Sequence, residues 1–419
     1  MPEIKVCMLT SGHPALDARI FHKESISLKK AGYEVTVLAP LNKEGVFVDI
    51  GGNKIADSET TLNGIRIIGF RKRAQRYNMI YNILLLLSSL NVKEFKLWKG
   101  PLADLMDKGA AQGADVYHCH ELWSLYAGIR IKKRLEREGK KPRLIYDVHE
   151  FRPTQSFTFV KNRFLGRILS AIIAYSEKRA LKYADYAIAV NEMVRVYLLI
   201  YEPFIKTEVI DNCSSLSTFP RSEAEHHKGK ITICHSGTLW FNRGLKLMVE
   251  VMRVLKERYG GKVELLIVGD VFGKEREYLE NRLKEDELHD VIRRTGWLPY
   301  ERVGEVISQA DIGIIFTEFT PQYIFSSGNK LFDYMRSGLP IVSVDLPEAS
   351  RIISESQCGL VAKDRNVESL VGALSVLIDD EGKRCQMGEN AKRAAYNQYS
   401  WEQMEKKLLR VYNDLLSKP

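Results

Sequence analysis

Two successive runs of alternating strand and helix patterns constrain the fold of this chain more than any other feature. The first run opens with an apolar strand at residues 4–10, a helical pattern at 21–31 and a second strand at 34–39. It continues with strand patterns at 65–68, 116–119, 144–146 and 186–190 and helical patterns at 124–138 and 164–183. Strands that alternate with helices form parallel sheets covered on both faces. The sequence therefore predicts an α/β fold.

A polar loop interrupts this alternation. Residues 211–228 are polar and end in the charged run 223–230, after which the alternation begins again. The second run predicts strands at 231–235, 264–268, 291–294, 312–316 and 341–344 and helices at 245–259, 275–284 and 331–336. We therefore expect an N-terminal domain at 1–210 and a C-terminal domain at 211–395, each with a doubly wound sheet.

The chain beyond Asn366 carries only helical patterns. The last of them, residues 401–416, is amphipathic, and we expect the segment 396–419 to return towards the N-terminal domain. Ligands of open α/β sheets lie beyond the carboxyl ends of the strands, so two facing sheets would enclose a cleft. Functional residues are therefore expected directly after strands.

Composition excludes several classes of protein. The six cysteines are far apart and include no Cys-x-x-Cys pair, so the sequence predicts neither a zinc motif nor a disulfide framework. The N-terminus lacks the pattern of a signal peptide. The most apolar run, residues 79–90, is shorter than the ~20 residues of a membrane-spanning helix. We therefore expect a cytoplasmic protein.

The formal net charge of +9 favours an anionic partner, which could be nucleic acid, a lipid surface or a phosphorylated small molecule. Nucleic acid is not expected, because no known binding module is present. Basic residues flank two apolar helical patterns, 79–90 and 165–173, and suit a shallow contact with the anionic inner face of the plasma membrane. These residues are Arg71, Lys72, Arg73, Arg76, Lys161, Arg163 and Arg167. Helices that merely cover the sheet explain the pattern equally well.

A loop of small residues follows the first strand, at positions 10–19. Gly12 in this loop would allow a ligand to approach the backbone closely. The loop is not a dinucleotide-binding motif, because it lacks G-x-G-x-x-G. A plain turn in which Asp17 caps the following helix is an equally good interpretation.

Histidines end two further strands. His118, His120 and Glu121 follow one strand, and His149 follows the next. The alternation of side chains along a strand places His118 and His120 on the same face. Hydrogen-bonding or structural histidines are favoured over a zinc site, because the sequence does not show where the accompanying carboxylates point.

Two strand ends of the second half suit a diphosphate. Gly237 and Thr238 end one strand, and Arg243 opens the next helix, where a guanidinium and backbone amides would bind phosphate oxygens. A solvated surface arginine is the plain alternative. Between residues 326 and 335, Gly328, Asn329 and Lys330 lie at the start of another helix.

The same segment contains a carboxylate one turn into the helix. Asp333 would suit the hydroxyl groups of a ribose, while the preceding serines and amides would face phosphate. Capping of the helix by Ser327 explains the pattern without any ligand.

In this order, these motifs resemble the retaining nucleotide-sugar glycosyltransferases of the GT-B fold, family four, in particular the members that build polysaccharides. The resemblance covers nearly the whole chain. The matching segments are 17–24 (DARIFHKE), 116–121 (VYHCHE), 147–149 (DVH), 243–245 (RGL), 296–298 (GWL), 329–335 (NKLFDYM) and 338–340 (GLP).

This resemblance implies a role for each candidate residue. His149, Arg243 and Lys330 would be catalytic; Gly12, Gly237, Thr238, Gly328, Asn329 and Asp333 would bind the donor; and Asp17, Arg19, His120 and Glu121 would bind the acceptor. In this family the leaving phosphate accepts the acceptor's proton, so no enzymic base is needed. No Asp-x-Asp follows a strand, so neither a metal nor another cofactor is expected.

The chain departs from the family pattern at the donor site. Phe325 occupies the first position of the usual Glu-x7-Glu motif and Asp333 the second, while Thr238 replaces an arginine and Arg243 a lysine. The donor sugar, the nucleotide, the acceptor and the oligomeric state are left open. Two alternatives to transfer are also left open: a sugar-nucleotide epimerase of the same fold, and a GT-B pseudoenzyme that binds a glycan or a partner.

Overall fold

The computed structural model describes residues 3–49, 52–72, 102–151, 153, 162–216 and 229–417. The chain divides into two compact units. Unit 1 consists of Met1–Asp211 and Glu405–Pro419, and unit 2 consists of Asn212–Met404. Each unit contains a mainly parallel sheet whose strands alternate with helices, so the predicted α/β class is confirmed.

The described strands of unit 1 form one large sheet and one small one. They are β1 (Lys5–Thr10), β2 (Glu34–Pro40), β3 (Phe47–Val48), β4 (Lys54–Ala56), β5 (Glu59–Leu62), β6 (Ile65–Phe70), β7 (Val116–His120), β8 (Arg143–Val148), β9 (Tyr186–Ala189) and β10 (Thr207–Val209). The large sheet has the order β10-β9-β8-β7-β1-β2-β6-β5, and β3 pairs with β4. Only the β5–β6 pairing of the large sheet is antiparallel among the described strands. Every residue of β7 is buried, which shows that both faces of the sheet are covered at its centre.

The described helices of unit 1 connect these strands. A π-helical turn, Ile20–Ser25, continues into α1 (Ile26–Lys30); α2 (Ala103–Gln112), α3 (Glu121–Arg137), α4 (Arg163–Leu181) and α5 (Glu192–Tyr201) follow. The first helix was predicted as regular from residue 21, so its π-helical start is a difference. The buried charged residue Glu24 lies in that turn.

Unit 2 has a six-stranded, wholly parallel sheet in its described part. Its strands are β11 (Ile231–Ser236), β12 (Val263–Val268), β13 (Ile292–Arg294), β14 (Ile312–Ile315), β15 (Ile341–Val344) and β16 (Gly359–Ala362), in the order β13-β12-β11-β14-β15-β16. The helices are α6 (Leu245–Tyr259), α7 (Gly273–Glu285), α8 (Tyr300–Ile307), α9 (Pro321–Ile324), α10 (Asn329–Ser337), α11 (Pro347–Ser356), α12 (Val367–Asp379) and α13 (Glu381–Asn397), with short 3₁₀ turns at Phe241–Arg243 and Gly260–Lys262.

The last helix, α14 (Trp401–Leu416), buries one face, as its amphipathic pattern predicts. From Glu405 onwards it belongs to unit 1. There Tyr412 lies 3.0 Å from His118, and Lys407 Nζ donates to the carbonyl oxygen of Val209 at 2.9 Å. Because these contacts are made with β7 and the end of β10, the C-terminus of the chain completes the N-terminal sheet unit.

Both sheets reverse their strand order beside their first strand. In unit 1 the reversal lies where β1 meets β7, and in unit 2 where β11 meets β14. Ligands of doubly wound sheets bind at such points, beyond the carboxyl ends of the strands. The loops after β1, β7, β11 and β14 are therefore the places in each unit to look for a site.

Two sequence predictions fall outside the described residues. These are the apolar helix at 79–90, with Arg73 and Arg76 before it, and Lys161. Among the described helices, none combines the length and the apolar character needed to cross a bilayer.

Candidate functional site

The loop after β1 brings Asp17 and His13 together in unit 1. His13 Nδ1 lies 3.2 Å from Asp17 Oδ2, while Asp17 Oδ1 accepts hydrogen bonds from the backbone N–H groups of Arg19 (2.8 Å) and Ile20 (3.0 Å). The interpretation of Asp17 as a helix cap is thus confirmed. Burial opposes ionisation of Asp17, but the hydrogen bonds from His13 and Ile20 outweigh it and lower the pKa of the carboxyl. Gly12 is exposed, and a Cβ placed there would meet no atom within 4 Å.

Arg19 lies inside unit 1, with only 3% of its surface exposed. Its guanidinium pairs with both carboxylate oxygens of Asp147 at 3.1–3.2 Å and lies 2.8 Å from Glu24 Oε1. Its Nη1 also donates to the carbonyl oxygen of Ile210 at 2.8 Å. The side chain therefore links the π-helical turn, β8 and the end of β10 inside unit 1.

The histidines predicted at two strand ends do converge. His118 and His120 are fully buried with their rings stacked 4.5 Å apart, which confirms that they share a face. His120 Nδ1 lies 3.1 Å from His149 Nε2, and His149 contacts the His13 ring at 4.8 Å between centroids. Burial, above all, lowers the pKa of both His118 and His120, so both rings are neutral. Among these four histidines, His13 and His149 are the more exposed, with 29% and 9% of their side chains accessible to solvent.

The backbone of Glu121 has an unusual conformation. Its φ is +73°, in the left-handed region that non-glycine residues rarely occupy, and 1% of its surface is exposed. It follows β7 directly and begins α3. Strained backbone at a strand end is typical of functional sites, and no sequence pattern reveals it.

In unit 2, glycines shape the loops after β11 and β12. Gly244 has a φ of +95°, and a Cβ there would collide with the backbone carbonyl of Phe316. Gly269 has a φ of +147°, and its Cβ would lie 2.6 Å from the carbonyl oxygen of Gly237. Only glycine fits these positions, so the strand-end loops can pack against one another without side chains between them.

Arg243 and Lys330 both approach the carboxyl end of β11. Arg243 Nη1 donates to the carbonyl oxygen of Thr238 at 2.9 Å, and Lys330 Nζ lies 3.4 Å from His235 Nε2. Burial first, and then the positive charge of Arg243, lower the pKa of Lys330 to about 7. Burial and both cations likewise lower the pKa of His235. Because each positive charge lowers the pKa of its neighbours here, this strand end has a positive electrostatic potential that favours an anion.

The start of α10 lies at the same strand end. Gly328 is the N-cap residue, and no side chain caps this helix, so the interpretation of Ser327 as its cap is wrong. The first-turn amides and the positive end of the helix dipole therefore lie beside Lys330. Asn329 Oδ1 lies 3.3 Å from Asn212 Nδ2. Asp333 is 5% exposed, and Ser214 Oγ donates to its Oδ1 at 2.5 Å.

A depression of 430 Å³ adjoins Arg243 in unit 2. It is lined by Trp240, Phe241, Asn242, Arg243, Glu275 and Tyr323. Its aromatic residues were not predicted from the sequence. Trp240 could have indicated them, because it is an aromatic residue that lies between the end of β11 and the start of α6.

Known proteins resemble this chain in sequence and in fold. Residues 218–394 match the family model described as glycosyl transferases group 1. An uncharacterised glycosyltransferase of Methanocaldococcus jannaschii is 23% identical over 293 residues, which cover 66% of this chain and 70% of that protein.

Two solved structures share the fold. Sucrose-phosphate synthase from Thermosynechococcus elongatus aligns with a TM-score of 0.72 at 15% identity over the full length of both chains. HepE from Anabaena, solved in complex with UDP-glucose, aligns with a TM-score of 0.67 at 15% identity over 98% of this chain and 100% of the other. At such low identity these likenesses show the architecture alone.

Proposed function

We propose that this chain is a glycosyltransferase of the GT-B fold that transfers a sugar with retention of configuration. Residues 218–394 match the family model described as glycosyl transferases group 1, and the chain shares the fold of sucrose-phosphate synthase. The donor is a nucleotide sugar, and the acceptor is a glycan or a lipid-linked sugar of surface polysaccharide biosynthesis. The observation that carries the proposal is the meeting of Arg243, Lys330 and the start of α10 at the carboxyl end of β11.

This strand end suits the diphosphate of the donor. Lys330 lies close enough to Arg243 for the arginine's charge to lower its pKa, and the first-turn amides of α10 add further donors. As the bond between the sugar and the phosphate breaks, negative charge grows on the leaving diphosphate. Fixed cations and amides stabilise that charge more in the transition state than in the bound substrate, which accelerates the reaction.

The remaining residues receive roles that agree with their positions. We assign Gly12, Gly237, Thr238, Gly328 and Asn329 to the donor, since their backbones border strand-end loops or the start of α10. Asp333, one turn into α10, would meet the ribose. His149 would face the transferred sugar. On the acceptor side, Asp17 is the reachable residue, whereas Arg19, His120 and Glu121 are buried and would act by positioning the wall of the site.

We propose that transfer with retention proceeds at this site without an enzymic base. The bond from the anomeric carbon to the phosphate oxygen breaks, and the acceptor oxygen bonds to the same face of that carbon. The acceptor's hydroxyl proton passes to the leaving phosphate oxygen. Because Arg243 and Lys330 supply the positive charge, we propose that the donor diphosphate requires no divalent cation.

A screen of nucleotide sugars tests the proposal. The purified protein is incubated with each donor, with and without a lipid-linked acceptor, and free nucleotide and sugar products are measured. We expect nucleotide release that depends on the acceptor, a retained anomeric configuration by NMR, and equal rates in Mg²⁺ and in EDTA. An altered sugar nucleotide formed without acceptor would indicate the epimerase, and binding without turnover would indicate the binding protein.

The start of α4 supports a peripheral membrane contact. Phe164, Leu165 and Ile168 are 70%, 54% and 43% exposed, and Arg163 and Arg167 are interleaved with them. Apolar side chains beside basic ones suit a surface of anionic lipids. We expect sedimentation with anionic liposomes that weakens at high salt and is reduced in Ile168→Ser. Val376→Ser, which changes a similarly exposed apolar residue of unit 2 (39% exposed), is the control. Equal binding to neutral vesicles would contradict this contact.

A further inference from the structure

A buried cluster in unit 1 brings two histidines and two carboxylates to a common centre. Glu24, His118, His120 and Asp147 are each fully buried, and one donor atom of each lies within 4.8 Å of the others. The residues come from the π-helical turn, from β7 and from β8. The sequence alone did not show which carboxylate lies beside the histidines. The structure supplies one in Glu24, which lies far from them along the chain.

Three of the four atoms that face the centre have no hydrogen-bond partner. These are Glu24 Oε2, His118 Nε2 and His120 Nε2. His118 Nε2 lies 3.5 Å from Asp147 Oδ2 and 3.8 Å from Glu24 Oε2, and His120 Nε2 lies 3.9 Å from Glu24 Oε2. Hydrogen bonds of this kind are about 2.7–3.2 Å long, so the atoms face one another without bonding. Unsatisfied buried polar atoms are costly, and a group of them requires a reason.

The outer nitrogen of each ring is already engaged. His118 Nδ1 lies 3.0 Å from the Tyr412 hydroxyl, and His120 Nδ1 lies 3.1 Å from His149 Nε2. If each Nδ1 carries the ring proton and donates it outwards, each Nε2 presents a lone pair to the centre. Imidazole ligands of metals are oriented in this way by a partner on their other nitrogen.

The distances and charges suit a divalent cation. Tetrahedral ligands bound at about 2.0–2.1 Å lie about 3.3–3.4 Å from one another. Three pairs of these donor atoms lie 3.5–3.9 Å apart, close to that spacing, and all four atoms lie within 4.8 Å of one another. In the described contacts, Arg19 pairs with both Asp147 and Glu24, so two buried carboxyl groups share one guanidinium. A divalent cation bound between them would stabilise the charged form of both carboxylates.

We propose that Glu24, His118, His120 and Asp147 bind one divalent transition-metal ion, with zinc as the preferred occupant. Two imidazole nitrogens and two carboxylate oxygens form a donor set that zinc accepts readily. The ion would link the π-helical turn to β7 and β8 and thus stabilise unit 1. Its role is structural and does not depend on the proposed function, because the donor diphosphate is assigned to cations of unit 2.

Metal analysis of the full-length protein tests the proposal. Protein produced with zinc and dialysed against a metal-free buffer is expected to retain one zinc ion per chain. X-ray absorption at the zinc edge is expected to show nitrogen and oxygen ligands and no sulfur. This measurement uses the wild-type protein, so it does not depend on whether a variant folds. A wild-type protein that takes up no stoichiometric zinc or cobalt after reconstitution, or that shows sulfur ligands, would overturn the proposal.

Two variants locate the ion. Glu24→Gln keeps the shape of the side chain but removes its charge, and it is expected to lose the metal and to unfold at a lower temperature. His13→Ala is the matched control, because His13 belongs to a separate group with Glu121 and His149. It is expected to retain the metal. If His13→Ala lost the metal and Glu24→Gln kept it, the ion would be bound by the group of His13, Glu121 and His149, and the assignment would be refuted. A Glu24→Gln protein that keeps its full metal content and melting temperature would show that Glu24 does not bind the ion and would overturn the assignment.

Discussion

The lowered pKa of Lys330 predicts how donor binding changes with pH. Burial and the charge of Arg243 bring this pKa to about 7, so the free protein loses the ammonium proton in the neutral range. A diphosphate bound beside Lys330 would favour the charged form and raise the pKa again. The affinity for a nucleotide sugar should therefore be full below pH 7 and fall as the pH rises through 7.

The size of the effect follows from the fraction of protonated lysine. With a pKa of about 7, roughly 90% of Lys330 is protonated near pH 6 and roughly 10% near pH 8. A ligand that binds only the protonated form then loses about tenfold in affinity, or ~1.4 kcal/mol, over this interval. The phosphates of a nucleotide sugar do not titrate in this range, so the change would belong to the protein.

The neighbours of Lys330 do not produce the same profile. Burial and the two cations lower the pKa of His235, so this ring stays neutral over the same interval. Burial raises the pKa of the Cys234 thiol to about 12. Asp333, on the same helix as Lys330, favours the charged ammonium and only moderates the shift.

Calorimetric titration with a nucleotide sugar, in two buffers of different ionisation enthalpy, measures both affinity and proton uptake. We expect uptake of a proton on binding above pH 7 and a weaker affinity at pH 8. Lys330→Arg is the control, because a guanidinium does not titrate and its profile should be flat. A pH-independent affinity in the wild-type protein, with no proton uptake, would refute the assignment of Lys330 to the diphosphate.

Three further substitutions have distinct expected outcomes. Arg243→Ala should lower turnover by about 10²-fold or more without a change in melting temperature. Arg253→Ala, which changes an exposed arginine of α6, should leave turnover unchanged. A near-normal rate in Arg243→Ala would contradict the role of Arg243. Gly12→Ala should leave the melting temperature unchanged, since its Cβ meets no atom, but should raise the KM for the donor; an unchanged KM would remove Gly12 from the donor site. Gly244→Ala should lower the free energy of unfolding, measured by urea titration, by more than ~1 kcal/mol, because the φ of +95° and the Phe316 carbonyl both oppose a side chain. A variant as stable as the wild type would show that the loop adapts to the added methyl group.

The regular elements were predictable because their apolar patterns are local. Helix Leu245–Tyr259 and strand Ile341–Val344 have the bounds that the patterns indicate. The π-helical turn Ile20–Ser25 and the strand Gly359–Ala362 were not predicted. The first departs from the regular helical period, and the second contains only four residues, three of them partly exposed, so its pattern is short and weak.

The candidate site was predictable only in part, for a related reason. Residue types at strand ends indicated Arg243, Lys330 and the histidines, because parallel strands end at one edge of a sheet. The sequence did not show that Arg19 and His120 are buried rather than exposed to an acceptor. Burial of a polar residue depends on partners that are distant in the chain. Asp147 lies 128 residues beyond Arg19, and neither residue alone indicates the pair.

The two units contain charge clusters of opposite sign, and this difference decides what each can bind. At the end of β11, Lys330 and Arg243 lower the pKa of His235 and no carboxylate pairs with them in the described contacts, which is why we propose an anionic ligand there. Around Arg19 the described carboxyl groups outnumber the guanidinium and are buried, which is why we propose a cation there. A charged cluster that its own side chains leave unbalanced thus indicates the sign of its ligand, whereas a balanced ion pair would indicate only a structural role.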